Sequence, residues 1–339
     1  MKYPTLQLTN KQEFEVKKFN QNKKIRLDTL NCINCKSLNY KELYANDRYG
    51  INQQTVLCNT CGLVYSNPRM TEESLKYFYS SNLYREVYEA SNDFEHNFSE
   101  RVRKVEKNIK INKPNYNKYY PQLFLDFISS LNIDYKTVCE IGCGYGINLL
   151  FFKNIGKEVY GIEPSKTSEK IAIDNQINIK QGFVNDLENK YDMIILKHVF
   201  EHLYDPLKDL EKIRSHTNKY LFIEVPGNFR RVASIQNAHN FYFTDNTLHK
   251  IVTKARFNII SAEYCKDTEF IFALYEKSKE KNINFEYSYL NEVKKIKKIY
   301  KYDNIRYAIT SILKSIGFYS FLLPFRKNIL KILNLKSCM

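Results

Sequence analysis

Three groups of residues in this 339-residue chain have the types and spacings that do chemistry. The first is Cys32-Ile33-Asn34-Cys35 with Cys58-Asn59-Thr60-Cys61, two C-x-x-C pairs separated by 22 residues. Each pair turns tightly enough to aim two thiolates at one tetrahedral ion, the layout of a zinc ribbon; four thiolates leave no open position, so such an ion is structural. The alternative is four free thiols. The second group is His198-Val199-Phe200-Glu201-His202, with His239 further along. Imidazoles titrate near neutrality, and beside a carboxylate they suit a general base or a divalent-metal site. The third is Glu140-Ile141-Gly142-Cys143-Gly144-Tyr145-Gly146, followed in the next segment by Glu163.

The elements that must position these groups can be read around them. The glycines follow a β-branched, apolar run and lead into Ile147-Asn148-Leu149-Leu150-Phe151-Phe152, which reads as a helix. Strand, glycine turn and helix N-terminus make a place where a ligand meets bare backbone. The spacing is not that of a dinucleotide fingerprint: the third glycine of G-x-G-x-x-G would fall at Ile147 or Leu149. Residues 157–163 read as a second strand, and Glu163 ends it about twenty residues after the glycines, where a carboxylate of a doubly wound sheet reaches ribose hydroxyls. Pro164-Ser165 starts a helix, with Ser165 as cap. A helix over 169–175 and strands over 177–180, 191–196 and 220–225 continue the alternation, the last ending at Pro226-Gly227-Asn228. Strands over 257–260 and 270–275 form a closing antiparallel pair. The predicted fold is α/β, a Rossmann-like sheet of seven strands.

The pattern acid-x-G-x-G-x-G resembles motif I of the class I S-adenosylmethionine (SAM) methyltransferases. His198–His202 and Ala238–Thr244 resemble H-V-x-E-H and H-x-x-x-F-T stretches of one large branch of these enzymes. With the four cysteines and Asn67-Pro68-Arg69, the match runs over roughly 30–275 and resembles zinc-ribbon-bearing methyltransferases of bacterial surface-polysaccharide and deoxysugar biosynthesis. The resemblance implies SAM and a structural zinc ion at Cys32, Cys35, Cys58 and Cys61. Glu140, Gly142, Cys143, Gly144 and Gly146 would receive the methionyl part, Glu163 the ribose, and Asp186 the adenine amino group, with Asn185 as a weaker choice for the last role. It further implies a sugar acceptor, nucleotide-linked or within a surface glycan. His198, His202 and His239 are candidate bases, with Glu201 as orienter or alternative base. Metal binding by the same residues is a second option, although the leading acid of the E-x-x-E-H pattern in some small-RNA and quinone methyltransferases is His198 here. A cap role would also explain Glu201 and His202.

Five segments follow: a polar lead-in (1–30), the zinc ribbon with tyrosine-rich helices (31–90), a linker helix (91–115), the SAM-binding domain (116–276) and a basic helical tail (277–339). The tyrosine-rich helices read as packed surface or as a wall that binds sugars or bases. Tyr65, Arg69 and the 226–243 loop are expected to shape specificity. The net charge of +15 points to an anionic partner, and fourteen Lys/Arg against four Asp/Glu in 277–339 place most of it in the tail. That tail, with its apolar 316–325 run, reads as a helix on an anionic membrane face or as an extension packed on the protein. Nucleic-acid methylation and a non-catalytic module are the competing functions. No apolar run reaches the roughly 20 residues of a membrane span, and the N-terminus has no apolar signal core, so a cytoplasmic location is expected.

Overall fold

The computed structural model describes residues 6, 8–81, 83–88, 120–166, 168, 173, 176–227, 235–265, 268–280 and 289–315. The linker expected over 91–115, most of the helix expected over 169–175, Asn228 and the 316–325 run lie outside these residues.

The chain opens with α1 (Asn10–Asn20), started by a capping box in which the Thr9 side chain accepts from the Gln12 N–H and the Gln12 side chain accepts from Thr9 N–H. A short β1 (Leu27–Asp28) pairs with β5 (Arg69–Met70). Between them β2 (Tyr40–Asn46), β3 (Asn52–Cys58) and β4 (Val64–Ser66) form an antiparallel meander, with Cys58 and Cys61 at its β3–β4 turn and Cys32 and Cys35 in the turn that precedes β2. Thr71 caps α2 (Glu72–Ser80), and α3 (Leu83–Tyr88) follows.

The second part begins with α4 (Tyr120–Ser130) and β6 (Thr137–Ile141). Next come α5 (Ile147–Asn154), β7 (Glu158–Glu163), β8 (Ile179–Gln181) and β9 (Tyr191–Lys197). Then follow α6 (Pro206–His216), β10 (Thr217–Pro226), β11 (Phe241–Tyr242), α7 (Asp245–Lys254), β12 (Phe257–Cys265) and β13 (Phe270–Lys277). The large sheet has the order β12-β13-β10-β9-β6-β7-β8, parallel except for β13, which is antiparallel to both neighbours. This is the seven-stranded mixed sheet of class I methyltransferases. Its strand order reverses between β6 and β9, which opens a crevice beyond their carboxyl ends.

Alternate residues of the central strands enter two cores, because side chains of a strand point to opposite faces. Val138, Met193, Ile195 and Phe222 meet Phe124, Phe127 and Phe152 on one side. Cys139, Ile141, Ile194, Leu196 and Ile223 meet α6 and α7 on the other, and that cluster runs on without a break into Val56, Cys58, Cys61 and Tyr65 of the cysteine meander.

Two later segments complete the N-terminal part. β11 adds to β4, so the small sheet reads β11-β4-β3-β2. The last helix, α8 (Tyr289–Ser315), lays Val293, Ile296 and Ile299 on Leu43, Tyr44, Leu57 and Tyr242, and Asp303 accepts from the Tyr44 hydroxyl at 2.8 Å. The described part of the basic tail is therefore a helix packed on the protein.

Candidate active site

A cavity of about 290 Å³ lies at the crevice where the strand order reverses. One wall is the glycine turn. Gly142, Gly144 and Gly146 all have positive φ, the left-handed conformation that L side chains rarely adopt. A Cβ at Gly142 would collide with Val199 Cγ2, whereas one at Gly144 would meet nothing within 4 Å and stand in open space. Glu163 at the end of β7 accepts from Gly144 N–H (2.9 Å) and Ser165 N–H (3.0 Å), so it braces the turn while lining the cavity. Backbone approach and a strand-end carboxylate are what a nucleoside with an amino-acid end requires, and the residues present fit SAM.

Other predicted cofactor residues sit further back. Glu140 is buried and accepts from Asn148 Nδ2 at 2.7 Å; burial pushes its carboxyl up to about 8. The Cys143 side chain points into the core, where it fills the space left by Gly161. Gly146 is the left-handed N-cap of α5. Asp186 caps its own turn by accepting from Phe183 N–H (2.8 Å), and Phe183 and Asn185, not Asp186, are among the residues that line the cavity.

Opposite the glycines, β9 ends in a turn that carries His198 and the 3₁₀ turn Phe200–His202. His198 has φ +55°, an uncommon conformation for a residue with a side chain, and such strain costs about 1–3 kcal/mol. The loop that carries His239 clamps this turn: Asn240 donates to the carbonyls of His202 (3.0 Å) and Leu203 (3.1 Å) and also from its backbone to that of Glu201 (2.9 Å).

The three histidines are not equivalent. His198 lies between two buried carboxylates, its Nε2 2.9 Å from Glu224 and its Nδ1 3.4 Å from Glu201. Burial works against its charge, but the two acids outweigh it and raise it to about 9, so it is an imidazolium at neutral pH. His202 is neutral: burial lowers it. Its Nδ1 lies 2.7 Å from the Ala238 carbonyl, which can only accept, so Nδ1 carries the proton and the Nε2 lone pair is left on the side of Glu201, 3.7 Å away. His239 is neutral too, lowered well below the ordinary range by burial and by His202. Arg48 donates to Gln236 Oε1 at 2.6 Å, which turns the Gln236 amide nitrogen onto His239 Nε2.

Glu201 is 1% exposed, and neither of its carboxylate oxygens has a hydrogen-bond partner among the described residues. Glu201, His202 and His239 place ligand atoms within 4.8 Å of one another and could hold a divalent ion. At the other group, Sγ of Cys32 and Cys61, and of Cys35 and Cys58, are 3.5 Å apart, with all four within 4.8 Å. A tetrahedron with Zn–S bonds of about 2.3 Å has S···S edges of about 3.8 Å, so the four cysteines are compatible with a zinc ribbon.

The remaining wall comes from the tyrosine-rich helices. Glu72, Leu75, Lys76 and Tyr79 of α2 and Tyr84 of α3 line the cavity, so the cysteine-bearing part closes it. Tyr65 and Arg69, expected to shape specificity, are buried behind it; the Arg69 guanidinium stacks between Tyr204 and Phe241. The helical spacing of the tyrosines was the available signal, but it does not say which face meets a cavity.

Residues 115–262 match the model of a family described as "Methyltransferase domain". A search of the curated proteins finds no match. Among solved structures, magnesium protoporphyrin IX methyltransferase of Synechocystis PCC 6803 with bound SAM is similar at 18% identity, over 60% of this chain and 94% of that one, with a TM-score of 0.41. A possible histamine N-methyltransferase of Thermotoga maritima is similar at 18% identity over 54% and 99%, TM-score 0.40. A SAM-dependent methyltransferase of Clostridium acetobutylicum is similar at 12% identity over 51% and 99%, TM-score 0.39. Residues 115–262 are thus similar to a methyltransferase domain.

Proposed function

With 115–262 similar to a methyltransferase domain, we propose that the protein transfers a methyl group from SAM to a sugar, nucleotide-linked or within a glycan, with His202 as general base. The observation that carries this is the His202 tautomer: Nδ1–H is committed to the Ala238 carbonyl, so a neutral Nε2 is available in the same cavity as Gly144 and Glu163. SAM supplies an activated methyl on a sulfonium. The glycine turn and Glu163 would orient the cofactor, and His202 would take the hydroxyl proton as the acceptor oxygen gains the methyl and the carbon–sulfur bond breaks, its electron pair staying on sulfur as a neutral thioether. The Glu201 carboxylate steadies the imidazolium that results. His198, already charged, is no base at neutral pH; it holds Glu201 and Glu224 in place. Tyr79 and Tyr84 offer the flat, partly polar surface that suits a sugar ring. We read the four cysteines as a structural zinc site.

A second reading puts a divalent ion on Glu201, His202 and His239, favoured by ligand atoms that lie within 4.8 Å of one another. It requires Gln236 to turn away from His239, against its bond from Arg48. Titration calorimetry with S-adenosylhomocysteine tests the cofactor site, with binding expected for the wild type and largely lost in Glu163→Ala. Nucleotide sugars are then screened with the wild type and His202→Gln. No binding by folded wild type would end the methyltransferase reading. Turnover that vanishes when divalent ions are chelated, while the zinc ribbon stays loaded, would favour the second reading over the base.

A further inference from the structure

We propose that the outward face of α8 docks the protein on an anionic lipid surface. The helix has two unlike faces. Inward, Val293, Ile296 and Ile299 pack on the small sheet. Its two acids also point inward: Glu292 accepts from Asn246 Nδ2 (3.0 Å), and Asp303 accepts from the Tyr44 hydroxyl. All outward charge is therefore positive.

At 100° per residue, Leu290, Lys294, Lys297, Lys298, Lys301, Ile305 and Ile312 fall on one stripe about a third of the circumference wide, and all are exposed. Leu290 is 70% exposed, Ile305 41% and Ile312 60%. A single exposed aliphatic side chain is ordinary. Three on one stripe, with four lysines between them, match a helix lying at a bilayer surface, its ammonium groups among lipid phosphates and its aliphatic side chains below them. From Leu290 to Ile312 the stripe is about 33 Å long at 1.5 Å per residue. A nucleic-acid backbone would engage the lysines equally well but offers no counterpart to the three aliphatic side chains. In sequence, the chain beyond Ser315 continues in the same composition, with Phe318, Phe321, Leu322 and Leu323 followed by Arg326 and Lys327.

Because α8 packs on the small sheet, deleting it would disturb the fold, and substitutions of exposed residues give the better test. The full chain is sedimented with vesicles of phosphatidylcholine and of phosphatidylcholine mixed with phosphatidylglycerol. Two variants are compared with it, K294E/K297E/K298E/K301E and L290S/I305S/I312S, with circular dichroism and melting as checks of folding. The wild type should pellet with the anionic vesicles only. The lysine variant should lose about 100-fold or more in affinity, since each lysine near an anionic surface contributes about fivefold. The aliphatic variant should lose about tenfold or more. Equal pelleting of the wild type and the lysine variant would overturn the proposal. So would an unaffected aliphatic variant together with displacement of the vesicles by single-stranded RNA, which would assign the stripe to a polyanion instead.

Discussion

Tyr79 Oη stands 2.8 Å from Nδ1 of His202, and the two residues belong to different parts of the molecule. Tyr79 is on α2 beside the cysteine meander, whereas His202 ends the turn after β9 of the methyltransferase sheet. Both face the Ala238 carbonyl, to which the Tyr79 hydroxyl donates at 3.2 Å and His202 Nδ1–H at 2.7 Å. Burial keeps the phenol neutral. The ring proposed as base is therefore held from outside its own domain.

Tyr79→Phe keeps the ring packing and removes only this hold. Turnover is expected to fall about 10- to 100-fold, as small misplacements of a reacting group do. The affinity for S-adenosylhomocysteine should stay within about twofold. Steady-state kinetics beside titration calorimetry separates the two; a joint loss would mean that Tyr79 supports the fold of the whole cavity.

Gly142 and Gly144 should respond differently to alanine, although both have positive φ. At Gly142 the new methyl collides with Val199, and the strained backbone adds about 1–3 kcal/mol, so the melting temperature should drop. At Gly144 the methyl stands in open space at the cavity wall, so its loss should be the larger one in cofactor affinity. Thermal melts with and without S-adenosylhomocysteine check the contrast.

The cysteine cluster predicts one zinc ion per chain by elemental analysis, lost in Cys58→Ser/Cys61→Ser. Because Cys58 and Cys61 share one apolar cluster with Ile141, Leu196 and Phe243, the metal-free protein should melt many degrees lower in one transition. Two separate transitions would show that the two parts fold independently.

Glu140 gives a pH dependence with a definite sign. Burial raises its carboxyl from 4.5 to about 8, so the folded protein holds a proton that the unfolded chain releases. The folded state is thereby favoured at low pH and loses that advantage as pH rises from about 4.5 to about 8. Glu140→Gln keeps an oxygen to accept from Asn148 and cannot ionise. Its melting temperature, relative to wild type without ligand, should climb across that window; parallel curves would mean that Glu140 is not buried as described.

Much of the sheet is legible in the sequence, because a strand buried on both faces must be apolar throughout; Met193 to Leu196 is one such run. The glycine turn and Glu163 are also legible, since positive φ and a strand-end acid leave fixed spacings. Histidine roles are not. His198 and His202 have the same side chain four positions apart; folding sets His198 between Glu201 and Glu224, which make it a cation, whereas burial keeps His202 neutral and the Ala238 carbonyl fixes its tautomer. Arg69 is expected to shape specificity, but its stacking between Tyr204 and Phe241 is a contact that no local pattern encodes.

The pairing of β11 with β4 sets an order of events during synthesis. The cysteine meander leaves the ribosome early, but the strand that covers its edge is encoded about 175 residues later, on the order of 10–35 s at 5–20 residues per second. For that interval β4 presents unpaired backbone groups, the kind of edge to which other strands add. A chain interrupted anywhere before Phe241 would keep that edge open permanently, so truncated products of this gene should aggregate where the full chain does not.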